Sequence, residues 1–414
     1  MLASVAGAIA ALAAAAGLAA ATPQRAAAAQ GMEVTLADDA VFLYRGYYDR
    51  GHAFRQALPL ATTRLHVMLP WTYALRHKQS KKRHRPEHLV YYLHRWDNLI
   101  DAAAKRGIRV ELVLAGKAPA FATSNHKIGR KRPDAHEYGR FVRAMAAHFK
   151  GRVDRYSIWN EPNYVSWLKP MDEAPGIYRK LYLAGYKAVK RADPSAKVLI
   201  GETSPRDSKG RSLSPLSFLR RMACVDHNYV RVRHCPVLHA DGYAQHPYDF
   251  EAPPSEHHAD ADDVTIGTLD HLTGALERLR NAGALVAPNG DHMGVYLSEF
   301  GYFVTGRRKI PEKQAAQWLP EAFDIALRNP YVREMTQYGL VTPPKHYPSA
   351  YFNLGIVTLK GHRRKPYRTL AKWAGHAVRD GRVPPPRGPI ELPKARPSGD
   401  SPGAGHGAHP SPGR

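Results

Sequence analysis

Arg109-Val-Glu-Leu-Val-Leu114, an amphipathic segment over Ala135–Phe149, and then Arg155-Tyr-Ser-Ile-Trp159 set the pattern of this chain. A short apolar run, then apolar residues three and four apart, then another short run predicts strand, helix, strand. Strands joined by a crossover helix lie parallel. Working outward, strand-like runs recur at Arg64–Pro70, Lys197–Ile200, Gly242–Gln245, Gly294–Leu297 and Glu334–Leu340, and an earlier run over 32–44 makes eight. Between them lie helical patterns such as Asp97–Arg106, Ala174–Arg191, Thr265–Asn281 and Pro311–Leu327. Eight repeats predict a single closed (β/α)8 TIM barrel over residues 31–383 rather than an open doubly wound sheet. No glycine-rich nucleotide loop follows the first strand, which also disfavours a dinucleotide fold.

With 44% hydrophobic and 23% charged residues in 414, the chain has the material for a sizeable core. Residues 2–21 are apolar and small except for one Ser, and Ala27–Ala29 precede Gln30, so residues 1–30 read as an export signal; an uncleaved anchor is the alternative. Residues 384–414 are rich in Pro, Gly and Ser without apolar periodicity and are expected to be a disordered tail. The expected address is therefore extracellular, secreted or wall-associated. In that oxidising setting Cys224 and Cys235 can close a short loop; two separate buried thiols are the other arrangement.

Function in such barrels sits where strands end. The fourth strand runs into Trp159-Asn160-Glu161-Pro162-Asn163 and the seventh into Ser298-Glu299-Phe300-Gly301. Strands four and seven lie across a barrel from one another, so the two carboxylates face each other over its mouth. Cleaving a glycosidic bond needs such a pair, one to protonate the departing oxygen and one to attack the anomeric carbon or activate water. Glu202, ending the fifth strand, adds a third carboxylate, for which a structural hydrogen bond is the favoured role.

The pairing of Trp159–Asn163 with Leu297–Gly301 resembles the clan A glycoside hydrolases, particularly β-xylosidases, α-L-iduronidases and bacterial exopolysaccharide hydrolases. His246-Pro247-Tyr248 and the closing segment Gly355–Trp373 extend the resemblance over residues 35–375. It implies Glu161 as general acid/base and Glu299 as nucleophile of a retaining double displacement, with no metal or organic cofactor. It further implies Asn160 on the sugar 2-hydroxyl, Tyr248 beside Glu299 and His246 along the same wall. The clan's tryptophan floor near strand eight is replaced by Gln337-Tyr338-Gly339, making Tyr338 its substitute, and Arg64 corresponds to the clan's arginine near the nucleophile. The mechanism asks for a raised Glu161 carboxyl and an ionised Glu299.

Flat rings pack on sugar faces. Trp71 is a substrate-binding candidate on that ground, and Phe121, Tyr164, Trp167 and Tyr302 are weighed equally between packing and sugar contact. Glu256, His257, His258, Asp260, Asp262 and Asp263 lack metal-site spacing and read as a solvated loop.

The net charge of +24 demands a partner or a location. Arg76, Lys78, Lys81, Lys82, Arg83 and Arg85 follow strand two; Lys117, Lys127, Arg130, Lys131 and Arg132 follow strand three. Arg206, Lys209 and Arg211 follow strand five and Arg307, Arg308 and Lys309 strand seven, so most of the excess is expected around the barrel mouth. Such a rim either steers an anionic polysaccharide or oligosaccharide substrate or holds the protein beside an anionic cell-surface polymer. Nucleic acid is disfavoured, because charge is its sole support. A noncatalytic wall-glycan-binding protein on the same barrel is the alternative to an enzyme, and the paired carboxylates argue against it.

Overall fold

The computed structural model describes residues 31–232 and 234–396. Its strands are β1 (Glu33–Ala37), β2 (Thr62–Pro70), β3 (Arg109–Ala115), β4 (Arg155–Ile158), β5 (Lys197–Thr203), β6 (Gly242–Gln245), β7 (Val295–Leu297) and β8 (Val332–Tyr338). Each pairs in parallel with its sequence neighbours, and β8 closes on β1. The crossovers are α1 (Arg50–Ala57), α2 (His94–Ala104), α3 (Ala135–His148), α4 (Ala174–Ala192), α5 (Pro215–Ala223), α6 (Leu269–Asn281) and α7 (Glu312–Arg328), and α8 (Lys365–Arg379) follows β8. This is the (β/α)8 barrel that the alternation predicts. Element ends move by a few residues for local reasons. Thr265 and Thr268 cap one another around a 3-10 turn, so the helix expected from Thr265 begins at Leu269. Asp134 starts α3 by accepting the Glu137 N–H at 2.8 Å, satisfying one otherwise orphaned donor.

Alternation along the strands separates two cores. Val34, Leu36, Leu65, Val67, Leu112, Leu114, Tyr156 and Ile158 face outward into the apolar layer under the helices, and all are buried. Burying one such side chain contributes roughly 1.5–3 kcal/mol. Among the interleaved residues, those near the start of the strands include several charged ones. Arg155 donates to Glu33, Glu111 and Glu334 and lies 4.5 Å from the Tyr296 ring centroid; Arg64 donates to Glu33 at 3.1 Å and Asp154 at 2.7 Å. Burial alone raises the Glu33 carboxyl, but Arg64 and Arg155 overcome it and hold it at about 2. This ionic layer closes the barrel beneath its mouth. Arg64 belongs to it, so the expected place beside the nucleophile is corrected: at the start of β2 its guanidinium is consumed by Glu33 and Asp154.

The C-terminal segment needs a correction in part. Residues 384–396, expected to be disordered, lie against the barrel, with the Ile390 N–H donating to Ala104 O at 2.9 Å and Leu392 packed on the core. One backbone hydrogen bond to the end of α2 and one apolar side chain are a signal too sparse for periodicity to catch. Residues 397–414, and the expected export signal at 1–30, lie outside the described residues. Cys224 and Cys235 form a disulfide across a separation of 11 residues. Among the described residues no helix is long and apolar enough to cross a membrane.

Candidate active site

The chain breaks from regular strand geometry where β4 ends. Trp159 and Glu161 both take positive φ, +68° and +36°, a region that costs a side-chain-bearing residue about 1–3 kcal/mol. Packing supplies the compensation: Trp159 is fully buried and donates Nε1–H to Trp167 O at 3.1 Å, and the Glu161 N–H donates to Glu202 O at 2.8 Å. The kink turns Glu161 into the mouth, where its Oε2 accepts the Trp167 indole N–H at 3.0 Å. Glu299 follows β7 on the facing wall and accepts the Tyr248 hydroxyl at 3.0 Å.

His246 joins the two. Its Nδ1 lies 3.2 Å from Glu161 Oε1 and 3.6 Å from Glu299 Oε2, while Nε2 lies 2.7 Å from Glu202 Oε2. Burial opposes a charged imidazole, yet Glu299, Glu161 and Glu202 together push the His246 pKa well above its ordinary value. The imidazolium form of His246 is thereby favoured, with one ring nitrogen facing Glu202 and the other facing Glu161 and Glu299. It is 0% exposed, so the expectation that it touches substrate is corrected: it lies beneath the carboxylates and acts on them.

Glu202 reaches that position through a bulge. One residue of β5, Glu202, intervenes between the Gly201–Ala244 and Thr203–Gln245 pairs, and Gly201 has φ +113°. A Cβ there would sit 2.4 Å from Ala244 O, so only glycine permits the turn. The bulge aims Glu202 into the barrel, where Ser298 Oγ (2.7 Å) and Ser157 Oγ also donate to it. Burial raises its carboxyl, but His246, His66 and Ser157 bring it down to about 2. Glu202 does not line the pocket, in keeping with the hydrogen-bonding role favoured from sequence.

Glu299 is pulled in both directions. Burial raises its carboxyl, His246 lowers it, and the Glu161 charge raises it again, with a net upward shift. Its ionisation thus depends on the imidazolium beside it. Asp39, after β1, is a carboxyl that sequence reading missed. It lines the same cavity, has one buried oxygen without a partner, and is raised to about 7 by burial despite accepting the Met68 N–H. No motif marks it; only closure of β1 on β8 brings it to the site.

The cavity measures about 1200 Å³, room for more than one sugar ring. Asn160, Glu161, Tyr164, Trp167, Tyr248, Glu299 and Tyr338 all line it. The Asn160 amide oxygen is buried without a partner, available to a ligand hydroxyl. One wall is aromatic: Tyr248 stacks on Phe250 at 4.5 Å, Phe303 lies 5.0 Å from Phe250, and Phe352 sits edge-on to Tyr338 at 5.5 Å. Phe250, Phe303 and Phe352 come from three loops, so no single stretch of sequence announces them.

Trp71 is not part of this surface. It is fully buried at the end of β2, stacked on Phe141 at 5.3 Å and edge-on to Tyr138 at 5.7 Å, which corrects its assignment as a sugar platform. Tyr302 packs against Phe300 and Trp318, and Phe121 against the core. Among the basic loops, Arg206, Arg211, Arg307 and Arg308 line the cavity, whereas those after β2 and β3 do not, and Arg85 and Arg132 pair with Glu137 and Glu173. The charge around the mouth is thus narrower than the loops suggested.

His66, Glu111 and Glu202 are close enough to hold a cation. Their chemistry opposes it: the Glu111 hydrogen bond at 2.6 Å and the charges of Glu202 and Glu111 outweigh burial and raise His66 to about 9, so its ring carries a proton rather than a free lone pair. The acidic residues near His258 are divided among other bonds, Asp262 to Arg220 and Asp263 to the Asp207 N–H.

No protein-family model and no curated protein sequence matches this chain. Solved structures do. A family 39 glycoside hydrolase from Bacteroides cellulosilyticus WH2 superposes with TM-score 0.59 at 18% identity over 83% of this chain and 64% of that one, so the chain spans just under two-thirds of its length. Xylanase 10B from Thermotoga petrophila RKU-1 gives 0.53 at 15% identity, covering 84% and 95%. Exo-beta-1,4-mannosidase Op5Man5 from Opitutaceae bacterium strain TAV5 gives 0.52 at 16%, covering 86% and 61%. These likenesses establish the fold of this chain as a (β/α)8 barrel like those of these glycoside hydrolases.

Proposed function

We propose that this protein is an exported retaining glycoside hydrolase acting on the O-glycosidic bonds of a polysaccharide or its oligosaccharides. One observation carries this: Glu161 and Glu299 converge on a single nitrogen of His246 inside a cavity of sugar size. Two oxygens at 3.2 and 3.6 Å from one nitrogen are at most about 6.8 Å apart, which leaves room for the carboxyl spacing of about 5–5.5 Å used in retention.

Glu161 donates its proton to the departing oxygen while Glu299 attacks the anomeric carbon from the opposite face, giving a glycosyl-enzyme ester. Glu161, now a carboxylate, takes a proton from water, which displaces Glu299. Negative charge passes from Glu299 to Glu161 in the first half and returns in the second. The His246 imidazolium lies within reach of both, so it stabilises whichever is ionised without moving. Asn160 is placed to bond the sugar 2-hydroxyl, and Tyr248 to steady Glu299. Export agrees with the apolar N-terminal sequence and with the Cys224–Cys235 disulfide.

The test is chemical rescue on a panel of aryl β-glycosides. Glu161→Ala and Glu299→Ala should each lose at least about 10³-fold in turnover while staying folded. Azide should restore Glu161→Ala with retained configuration of the glycosyl azide and Glu299→Ala with inverted configuration. Unimpaired hydrolysis by either variant would overturn the assignment.

A further inference from the structure

We propose that Arg211 reads a carboxylate on the leaving-group side of the scissile bond, so that the sugar released is a uronate or another carboxylate-bearing unit. This rests on the glycosidase reading and deepens it.

In-line attack by Glu299 places the departing group on the Glu161 side of the anomeric carbon. The wall there is built from Glu161's own loop, with Tyr164 and Trp167, and from the loop after β5, which carries Arg211. The two loops are fastened together: the Val165 N–H donates to Arg211 O at 2.7 Å, Tyr164 and Ser212 form a bridge, and the Leu213 N–H donates to Asn163 O at 2.9 Å. The Arg211 backbone is therefore fixed relative to the proton donor. Its guanidinium donates to the Tyr164 hydroxyl at 2.7 Å, placing the cation at the edge of the ring on which a departing sugar would stack.

Its charge balance distinguishes Arg211 from Arg206 and Arg308, and its place distinguishes it from Arg307, which has no ion pair among the described residues but follows β7 and Glu299 rather than flanking Glu161. Arg206 is engaged by Asp249 and His258, and Arg308 by Glu251 and two phenylalanine rings. Among the described residues no carboxylate lies within ion-pair distance of Arg211, and Asp207 is the one acid of its loop. One N–H group goes to the Tyr164 hydroxyl, and the guanidinium carbon lies 5.7 Å from that ring's centroid, a contact that leaves most donors of the planar fork free. A carboxylate matches that fork with two parallel hydrogen bonds, and a neutral hydroxyl does not.

The experiment uses the full chain and pairs of aryl β-D-glycosides (xylo-, gluco-, galacto- and manno-) whose leaving groups are 4-nitrophenol or 3-carboxy-4-nitrophenol. After correction for leaving-group acidity, the wild type should favour the carboxylated member in kcat/KM. Arg211→Ala should lower that ratio by roughly 5- to 20-fold, between an exposed pair and a desolvated bidentate one. Arg211→Lys should keep part of it, and rising salt should erode it in the wild type only. Equal turnover of both members by the wild type, or a ratio unchanged in Arg211→Ala, overturns the assignment of Arg211 while leaving the glycosidase intact. Absence of hydrolysis across the panel overturns the glycosidase reading, and this inference with it.

Discussion

Replacing Glu202 by Gln removes one negative charge from the interior with almost no change in volume. In the folded protein that carboxyl lies at about 2 instead of 4.5, so its ionised form is favoured by about 3 kcal/mol, most of it through His246, His66 and Ser157. The groups facing His246 are Glu161, Glu202 and Glu299, and Glu202 is the one to which the proposed mechanism gives no step. Without it the imidazolium is less stable. A unit charge 3.6 Å from Glu299 is worth about 4–5 kcal/mol at an effective dielectric near 20, and His246 acts on Glu299 more strongly than the Glu202 charge, which by itself raises that carboxyl; loss of the imidazolium proton therefore outweighs the loss of the Glu202 charge and raises Glu299 on balance, by about a unit. The nucleophile must be ionised to attack. Glu202→Gln should therefore move the acidic limb of the kcat/KM–pH profile upward by about one unit and cost about tenfold on that limb. A depressed carboxyl stabilises the fold above its unfolded value and loses that contribution as pH falls through the folded one. The stability gap between wild type and variant should accordingly be full above about pH 4.5 and close toward pH 2. The measurements are a pH series with an aryl glycoside that the wild type hydrolyses, and thermal unfolding at matched pH. An acidic limb in the same place, with the same kcat/KM, would refute the claim that Glu202 sets the His246 charge.

Asn160→Ala should lower kcat/KM by roughly 10²-fold, falling mainly on kcat, because a bond to the 2-hydroxyl strengthens in the transition state; loss confined to KM would remove that role. Reducing the Cys224–Cys235 bond opens a loop spanning 11 residues of separation and should cost about 3 kcal/mol in chemical denaturation. Trp71→Ala should destabilise by about 3–5 kcal/mol while the folded fraction keeps its KM, since Trp71 packs on Tyr138 and Phe141; a raised KM with unchanged stability would return it to the sugar site.

Much of the barrel was legible along the chain. Arg109–Leu114 alternates because β3 has two faces to satisfy, and Ala135–His148 keeps helical spacing because one stripe packs on those strands. The strand-end motifs were legible for another reason: they carry polar groups, Asn160, Glu161 and Glu299, at positions where packing alone would call for apolar ones. Misreadings came where local sequence does not encode distance. Trp71 ends a strand just as Trp159 does, yet neither ring meets the cavity, because each is captured by neighbours from another helix or loop. Basic loops after β2 and β3 also follow strand ends, but their charges do not line the cavity, and Arg85 and Arg132 turn to Glu137 and Glu173 instead.

By itself the sequence determined the eightfold strand and helix order, the places where the strands end, and the two carboxylates at the ends of β4 and β7. Those are local properties, written in residue spacing and in what each strand must bury. Tertiary structure alone decided which groups touch. The bulge at Gly201 turned Glu202 inward, and closure of the barrel put His246 between Glu161 and Glu299 and brought Asp39 to the same cavity. Such contacts join residues from different strands, and their strength comes from exclusion of water, which exists only once the barrel has closed.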